Sequence, residues 1–290
     1  MGLVETLADN HSTSSNETKE PAKEFGASAL YGLKLDSKLN SRINFDYTRG
    51  LLHQIFEADM SFKEYVTYIN EPKHLINPVR DIRLFDNWFL EMCSKSPWWG
   101  ILLAYIPLEL WTVAKIQEHA LYTSPLALLV QIVAGIWLWT FIEYIFHRFL
   151  FHGEDHWMYY TPHNKWWFTG HFMIHGIHHA FPQDRLRLVF PPVPGYFLFC
   201  NLIYLPMRSV LPIGVLHPIW LGVIIGYLLY DQIHFWLHHA SPQSGYWKDL
   251  KLYHMQHHYK FGTIGFGVSQ KFWDIVFNTE IKGYDKSKAN

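Results

Sequence analysis

Two stretches of this chain are too long and too poor in charge to sit comfortably in a water-soluble fold. Residues 125–146 carry a single charged side chain, Glu143, and residues 218–237 carry a single one, Asp231. A membrane-spanning helix needs about 20 predominantly apolar residues. Both stretches qualify, and Trp and Tyr residues lie near their ends, where an aromatic belt would meet the interface. Two shorter apolar stretches accompany them. One runs over 98–113 with Pro107 and Glu109 inside it, and the other over 196–210, interrupted by Pro206 and Arg208. These are expected to tilt, kink or cross only partway. Buried helices of a soluble protein are the plainer reading, and the two nearly uncharged runs weigh against it. The expected fold is all-α: an integral membrane protein with about four transmembrane helices and a cytosolic helical cap.

Basic residues orient this arrangement. The links after the first and third stretches hold few cations, Lys115 in one and Arg208 at the other, whereas the N-terminal region, the 147–195 segment and the C-terminal tail hold nearly all the rest. The positive-inside rule places those three regions, and both termini, in the cytosol. Four regions follow: a disordered polar tail over 1–25, an amphipathic cytosolic segment over 26–95, a membrane-embedded domain over 96–279 and a basic tail over 280–290. In the second region Ser61 and Glu64 form a capping-box pattern, and Pro72 and Pro78 break the helical pattern. Met1–Thr6 fits the myristoylation pattern at Gly2, although so loose a pattern also arises by chance. A net charge of −1 argues against a nucleic-acid partner bound by bulk charge. Two cysteines, Cys93 and Cys200, exclude both a disulfide-rich domain and a four-cysteine zinc site.

Histidine carries the chemistry. Ten of the 19 histidines fall in four clusters: His147 and His152; His175, His178 and His179; His234 and His238; His254, His257 and His258. Each cluster lies just beyond a span or in a segment expected on the cytosolic side, and spans two and four run in the same direction, so their histidine-bearing ends meet one membrane face. Residues three or four apart share a helix face, which lets the second, third and fourth clusters each aim imidazoles at one point. His147 and His152, five apart, converge only if the helix ends between them, and Gly153 is the expected stop. Neutral imidazole binds iron, zinc and copper, and one mononuclear site uses three or four protein ligands, so ten point to two metal ions. His11, His53, His74, His119, His156, His163 and His217 read as ordinary interfacial or hydrogen-bonding residues. His171 and His239 stand in or beside a cluster, and His171 is placed to support a ligand.

The order H-x4-H, H-x2-HH, H-x3-H, H-x2-HH resembles the membrane fatty acid hydroxylase and sterol desaturase superfamily. Within it the chain is similar to the fatty acid 2-hydroxylases, the sphingolipid α-hydroxylases. The resemblance rests on EYIFHRFLFH (143–152), HFMIHGIHHAFPQDRLRLVFPP (171–192), YDQIHFWLHH (230–239) and YHMQHHYKFGTIGFGVSQKFWDIVFNT (253–279). The earlier INEPKHL and SPWWG segments fit as well, and the likeness covers about residues 43–279. It implies that the ten clustered histidines are the metal ligands. It also implies O2-dependent hydroxylation at carbon 2 of a long or very long acyl chain, free or within ceramide. The implied centre is di-iron in catalysis, and zinc found in purified protein would be a redox-inert stand-in. Electrons come in this family through cytochrome b5 from an NAD(P)H-dependent reductase. No His-Pro-Gly-Gly haem motif of a fused cytochrome b5 domain is present, so both are expected as separate proteins.

Glu143, four residues before His147, and Asp231, three before His234, are the expected carboxylate partners of ligand imidazoles, because an ionisable group within a span is costly and usually functional. Spans two and four are expected to wall an acyl channel. Lys286 and Lys288 resemble a dilysine retrieval signal, which implies the endoplasmic-reticulum membrane. Two other readings compete: sterol desaturation or sterol methyl oxidation within the same superfamily, and a non-catalytic membrane metal-binding or transport protein. The latter calls for ligands in mid-span, whereas these cluster at span ends. A metallohydrolase is weaker still, since no HExxH occurs.

Overall fold

The computed structural model describes residues 45–73, 82–119, 124–161 and 164–283. The 1–25 tail with its Gly2 pattern, residues 26–44, His74, His163 and the Lys286 and Lys288 pair lie outside the described residues. All regular structure among the described residues is helical.

Two helices form the axis of the molecule. Helix α5 (Pro125–Ile145) starts at Ser124, whose side chain accepts from the Ala127 amide, and continues as a wide turn over Phe146–Phe151. Helix α10 (Ile213–His239) starts one and a half turns before Pro218. Both are long and apolar enough to cross a membrane. They run parallel with their backbones touching. An added Cβ at Gly135 would lie 2.0 Å from the Ile219 carbonyl oxygen, and one at Gly222 would lie 2.0 Å from that of Ile132. Further along, Trp139 lies against Gly226. Small residues that let helix backbones approach are the usual device for association in lipid, where apolar burial supplies no driving force. The outer face of α5, with Leu126, Leu129, Val130 and Val133, is exposed, whereas α10 is largely buried.

The other two apolar stretches are helical as well. Helix α4 (Gly100–His119) includes Pro107, packs against α10 and exposes Leu103 and Leu110. The third stretch is one helical run in three parts: α8 (Pro192–Leu198), a wide turn over Phe199–Tyr204, and α9 (Leu205–Val210).

The remaining elements gather at the C-terminal ends of α5 and α10. Helices α1 (Leu51–Glu57) and α2 (Phe62–Ile69) come from the N-terminal segment. The capping box of α2 forms as its sequence implies: Ser61 Oγ accepts from the Glu64 amide at 3.3 Å, and Glu64 Oε2 accepts from the Ser61 amide at 2.9 Å. The buried face of α2, including Tyr65, Tyr68 and Ile69, packs on Phe168 of α6 (Lys165–His171), on Phe172 and on Ile177 of α7 (Ile177–Ala180). Helix α3 (Trp88–Cys93), capped by Asn87, turns Trp88 and Phe89 outward and Glu91 inward. Glu91 Oε2 takes the Leu84 and Phe85 amides, and its Oε1 meets Arg187 at 2.6 Å. That buried pair ties the N-terminal segment to the 181–191 loop. Helices α11 (Gly245–Tyr259) and α12 (Phe272–Val276) complete the set.

Candidate metal centre

Nine of the ten clustered histidines fall into two groups whose ligand atoms lie within 4.8 Å of one another. One group is His178, His234, His238, His254 and His258; the other is His147, His152, His179 and His257. Each group could hold a metal ion, and every member is buried. His175, the tenth, belongs to neither. Its ring stands 4.7 Å from that of His179 and 5.0 Å from that of His147, and its Nε2 has no protein partner. His239 packs on Phe235, and His53, His119, His156 and His217 also lie outside both groups.

The first cluster converges by a route that spacing alone misses. The helix does not end between His147 and His152 but widens into a π turn, in which the His152 amide donates to the His147 carbonyl at 3.0 Å. The widened turn brings His147 and His152, five residues apart, into one histidine group. A second π turn, Phe172–Gly176, precedes His178 and His179. Such turns recur at functional sites because they re-aim side chains within a helix.

The donor atoms fit a cation. His178 Nε2 is 3.0 Å from both His234 Nε2 and His258 Nε2, and His254 Nε2 is 3.0 Å from His238 Nε2 and 3.1 Å from His258 Nε2. In the second group His152 Nε2 is 3.1 Å from His257 Nε2. Metal–nitrogen bonds of about 2.0–2.1 Å at angles of about 90–110° put neighbouring donors about 2.9–3.4 Å apart. The far nitrogens strengthen the case. His147 Nδ1 donates to the Phe266 carbonyl at 2.5 Å, His257 Nδ1 to that of Ile264 at 2.9 Å, and His152 Nδ1 to Glu154 Oε1 at 3.0 Å. With their protons committed there, His152 and His257 turn two bare lone pairs toward each other, and a shared cation reconciles them.

Glu143 and Asp231, the expected carboxylate partners, sit elsewhere. Glu143 Oε1 accepts from the Val268 and Ser269 amides and its Oε2 from Ser269 Oγ. Asp274 accepts from the Phe266 and Gly267 amides. Together these two carboxylates fold the 264–269 loop so that its carbonyls meet His147 and His257. Glu143 thus acts on His147 through the loop. Asp231 takes the Phe190 amide, while the far side of His234 meets the Leu188 carbonyl. The Tyr227 hydroxyl, one turn earlier on α10, lies beside the same carboxylate. The carboxylate that does touch one of the clustered imidazoles, His152, is Glu154, which sequence reasoning missed. Burial alone would raise its carboxyl, but His171 and His152 beside it hold it well below the usual range. His171 Nε2 lies 2.8 Å from Glu154 Oε2.

A cavity of about 380 Å³ opens onto His175, His178 and His234. Apolar side chains dominate its wall, among them Trp139 of α5, Phe146 of the wide turn that follows it, Phe190, and Phe197 and Phe199 of the α8 run; Tyr227 and Asp231 come from α10. The wall therefore includes residues of α5 and α10 and of the 84–94 and 187–199 segments.

Burial first, and then the neighbouring rings, hold the imidazoles of His175, His178, His179, His254 and His258 well below their usual range, and push His257 down to about 3. They are neutral at physiological pH, the form that ligates. Above an unfolded histidine value of about 6.5 both folded and unfolded chains leave these rings unprotonated. Below it the unfolded chain takes up protons that the folded chain refuses, so stability falls as pH falls. The metal-free protein is expected to melt at a constant temperature from about pH 8 to about pH 7 and progressively lower below about pH 6.5. Thermal unfolding in detergent checks this, and an unchanged midpoint down to about pH 5 would contradict it.

With this geometry in hand, known proteins locate the chain. The sequence profile of the family described as fatty acid hydroxylase matches residues 132–279. The chain is 37% identical over 234 residues to the ceramide very long chain fatty acid hydroxylase SCS7 of Saccharomyces cerevisiae, covering 81% of this chain and 58% of that protein. It is 32% identical over 225 residues to the dihydroceramide fatty acyl 2-hydroxylase FAH1 of Arabidopsis thaliana, covering 78% of this chain and 90% of that one. Against the fatty acid 2-hydroxylase of Rattus norvegicus it is 34% identical over 254 residues, spanning 64% of that protein's length. A solved structure of full-length Scs7p, in which only the hydroxylase domain is visible, superposes with a TM-score of 0.74 at 34% identity, over 90% of this chain and 95% of that one. The chain therefore belongs to the fatty acid hydroxylase family.

Proposed function

We propose that this chain catalyses O2-dependent 2-hydroxylation of long or very-long-chain acyl groups, free or within ceramide. Two metal ions, one for each histidine group, would serve the reaction. The supporting observation is the apolar cavity that opens onto His175, His178 and His234. An acyl tail lodged between Trp139, Phe199 and Tyr227 brings the carbons near its polar end up to these histidines. Two irons, when bound, supply the strong oxidant that an unactivated C–H bond requires and that no side chain provides.

The chain's own residues do the rest. The ten clustered histidines, His147, His152, His175, His178, His179, His234, His238, His254, His257 and His258, hold the pair of ions, with His175 completing the second group from its edge. Phe146, Phe151, Leu188 and Phe190 wall the cavity and exclude water from it. Glu143 holds the loop behind His147. Asp231, on the cavity wall beside Tyr227, holds the polar end of the substrate. Electrons arrive from cytochrome b5 and its NAD(P)H-dependent reductase as separate proteins. The 96–279 region forms the catalytic domain. The enzyme sits in the endoplasmic-reticulum membrane with four spans and both termini in the cytosol.

Lipid profiling of a deletion strain tests this reading. Loss of 2-hydroxylated ceramides, restored by this chain, is the expected result. Unchanged 2-hydroxy lipids with altered sterols would replace it with the sterol chemistry of the same superfamily.

A further inference from the structure

The two histidine groups are braced differently. In the His147, His152, His179 and His257 group, three far nitrogens are committed, to two backbone carbonyls and to Glu154. In the five-histidine group the Nδ1 atoms of His178, His238, His254 and His258 have no protein partner. The extra bracing centres on His171. Its Nε2 is 2.5 Å from the Phe151 carbonyl, the residue before His152, and 2.8 Å from Glu154 Oε2, two residues after it. Its Nδ1 is 2.6 Å from the Tyr65 hydroxyl on α2. His171 thus grips the chain on both sides of one ligand, and Tyr65 holds His171. Tyr65 is fully buried and stacked on Phe168 at 4.7 Å with the rings 5° apart. Gly176 makes room for the contact, since a Cβ there would lie 2.9 Å from the Tyr65 hydroxyl and 3.3 Å from His171 Nδ1.

We propose that Tyr65 and His171 are positioning residues for one half of the metal centre, setting the affinity of the His147, His152, His179 and His257 position and leaving the five-histidine position alone. Tyr65 lies outside residues 132–279, so the centre reaches into the N-terminal segment. Outer partners of this kind fix the tautomer and orientation of a ligand imidazole, and their loss typically weakens metal binding about 10–100-fold. This inference rests on the metal-binding half of the proposed function and not on its substrate.

Zinc competition between a chelator and the purified full-length chain in detergent, with bound zinc counted per protein, tests it without any catalytic assay. The wild type is expected to hold two ions, one more tightly than the other. Tyr65→Phe keeps the ring and its stacking, and is expected to weaken the tighter ion about 10–100-fold while leaving the other unchanged. His171→Gln should do the same, and Gly176→Ala should resemble both. Tyr68→Phe deletes another buried hydroxyl that does not touch His171, and should leave both ions as in the wild type. Equal weakening of both ions in Tyr65→Phe, weakening of neither, or an equal effect from Tyr68→Phe would overturn the proposal. A wild type that binds no zinc would overturn it together with the proposed function.

Discussion

His178→Ala is expected to abolish hydroxylation and to weaken the ion proposed for the five-histidine group. His178 Nε2 is shared between two of the 3.0 Å contacts of the five-histidine group, to His234 and to His258, and the same ring forms part of the cavity wall. Alanine there removes a donor from the group and opens the cavity onto what remains. Losing even an outer partner of a ligand typically costs about 10–100-fold in affinity or activity, so losing the donor itself should exceed that. Chelator competition and turnover of the purified variant check both parts: one ion held more than about a hundredfold more weakly, and turnover lowered by more than about a hundredfold. His53→Ala removes an exposed histidine paired only with Glu57 and should change neither quantity. Two retained ions with near-normal turnover in His178→Ala would show that the close nitrogens are not ligands.

A substitution far from the histidines should be nearly as damaging. Gly135 and Gly222 are where α5 and α10 touch backbone to backbone, with no room for a side chain on either. Gly135→Leu must push the helices apart, and their far ends carry His147 on one and His234 and His238 on the other. Overpacking a tight contact typically costs about 1–3 kcal/mol, occasionally more. The displacement is also carried to donors that must hold their spacing within tenths of an ångström. The variant is expected to melt several degrees lower, by roughly 2–4 °C per kcal/mol in a chain of this size, and to lose metal during purification. Gly214→Leu adds the same side chain to α10 where an added Cβ meets nothing within 4 Å, and should match the wild type. Equal melting temperatures for the two leucine variants would contradict the close contact.

What the sequence shows of this molecule follows from what is local in it. The two longest spans stand out because lipid solvation demands an unbroken apolar run, and each run is one continuous helix. The histidine clusters stand out because close spacing along a helix becomes closeness in space. The fit of His147 with His152 does not, because the spacing rule assumes a regular helix and the chain uses a π turn. Glu143 and Asp231 are conspicuous as charges within spans, but their partners are loop amides at Val268, Ser269 and Phe190, supplied by distant parts of the chain. Glu154 is one acid among many in the sequence and gains its place only when the turn after α5 folds it under His152. Tyr65 stands 106 residues from His171, and no pattern in either segment links them.

The central claim is that the chain hydroxylates carbon 2 of an acyl group lodged in the cavity, with the clustered histidines holding the metal ions that would supply the oxidant. Turnover of a very-long-chain ceramide under ¹⁸O2 tests it most directly, with iron-loaded protein, cytochrome b5, its reductase and NADPH, and the product read by mass spectrometry. The account predicts one ¹⁸O atom per product, in a hydroxyl on carbon 2 of the acyl chain, with the second oxygen atom leaving as water. A hydroxyl carrying oxygen from the solvent, or one placed elsewhere on the lipid, would contradict it.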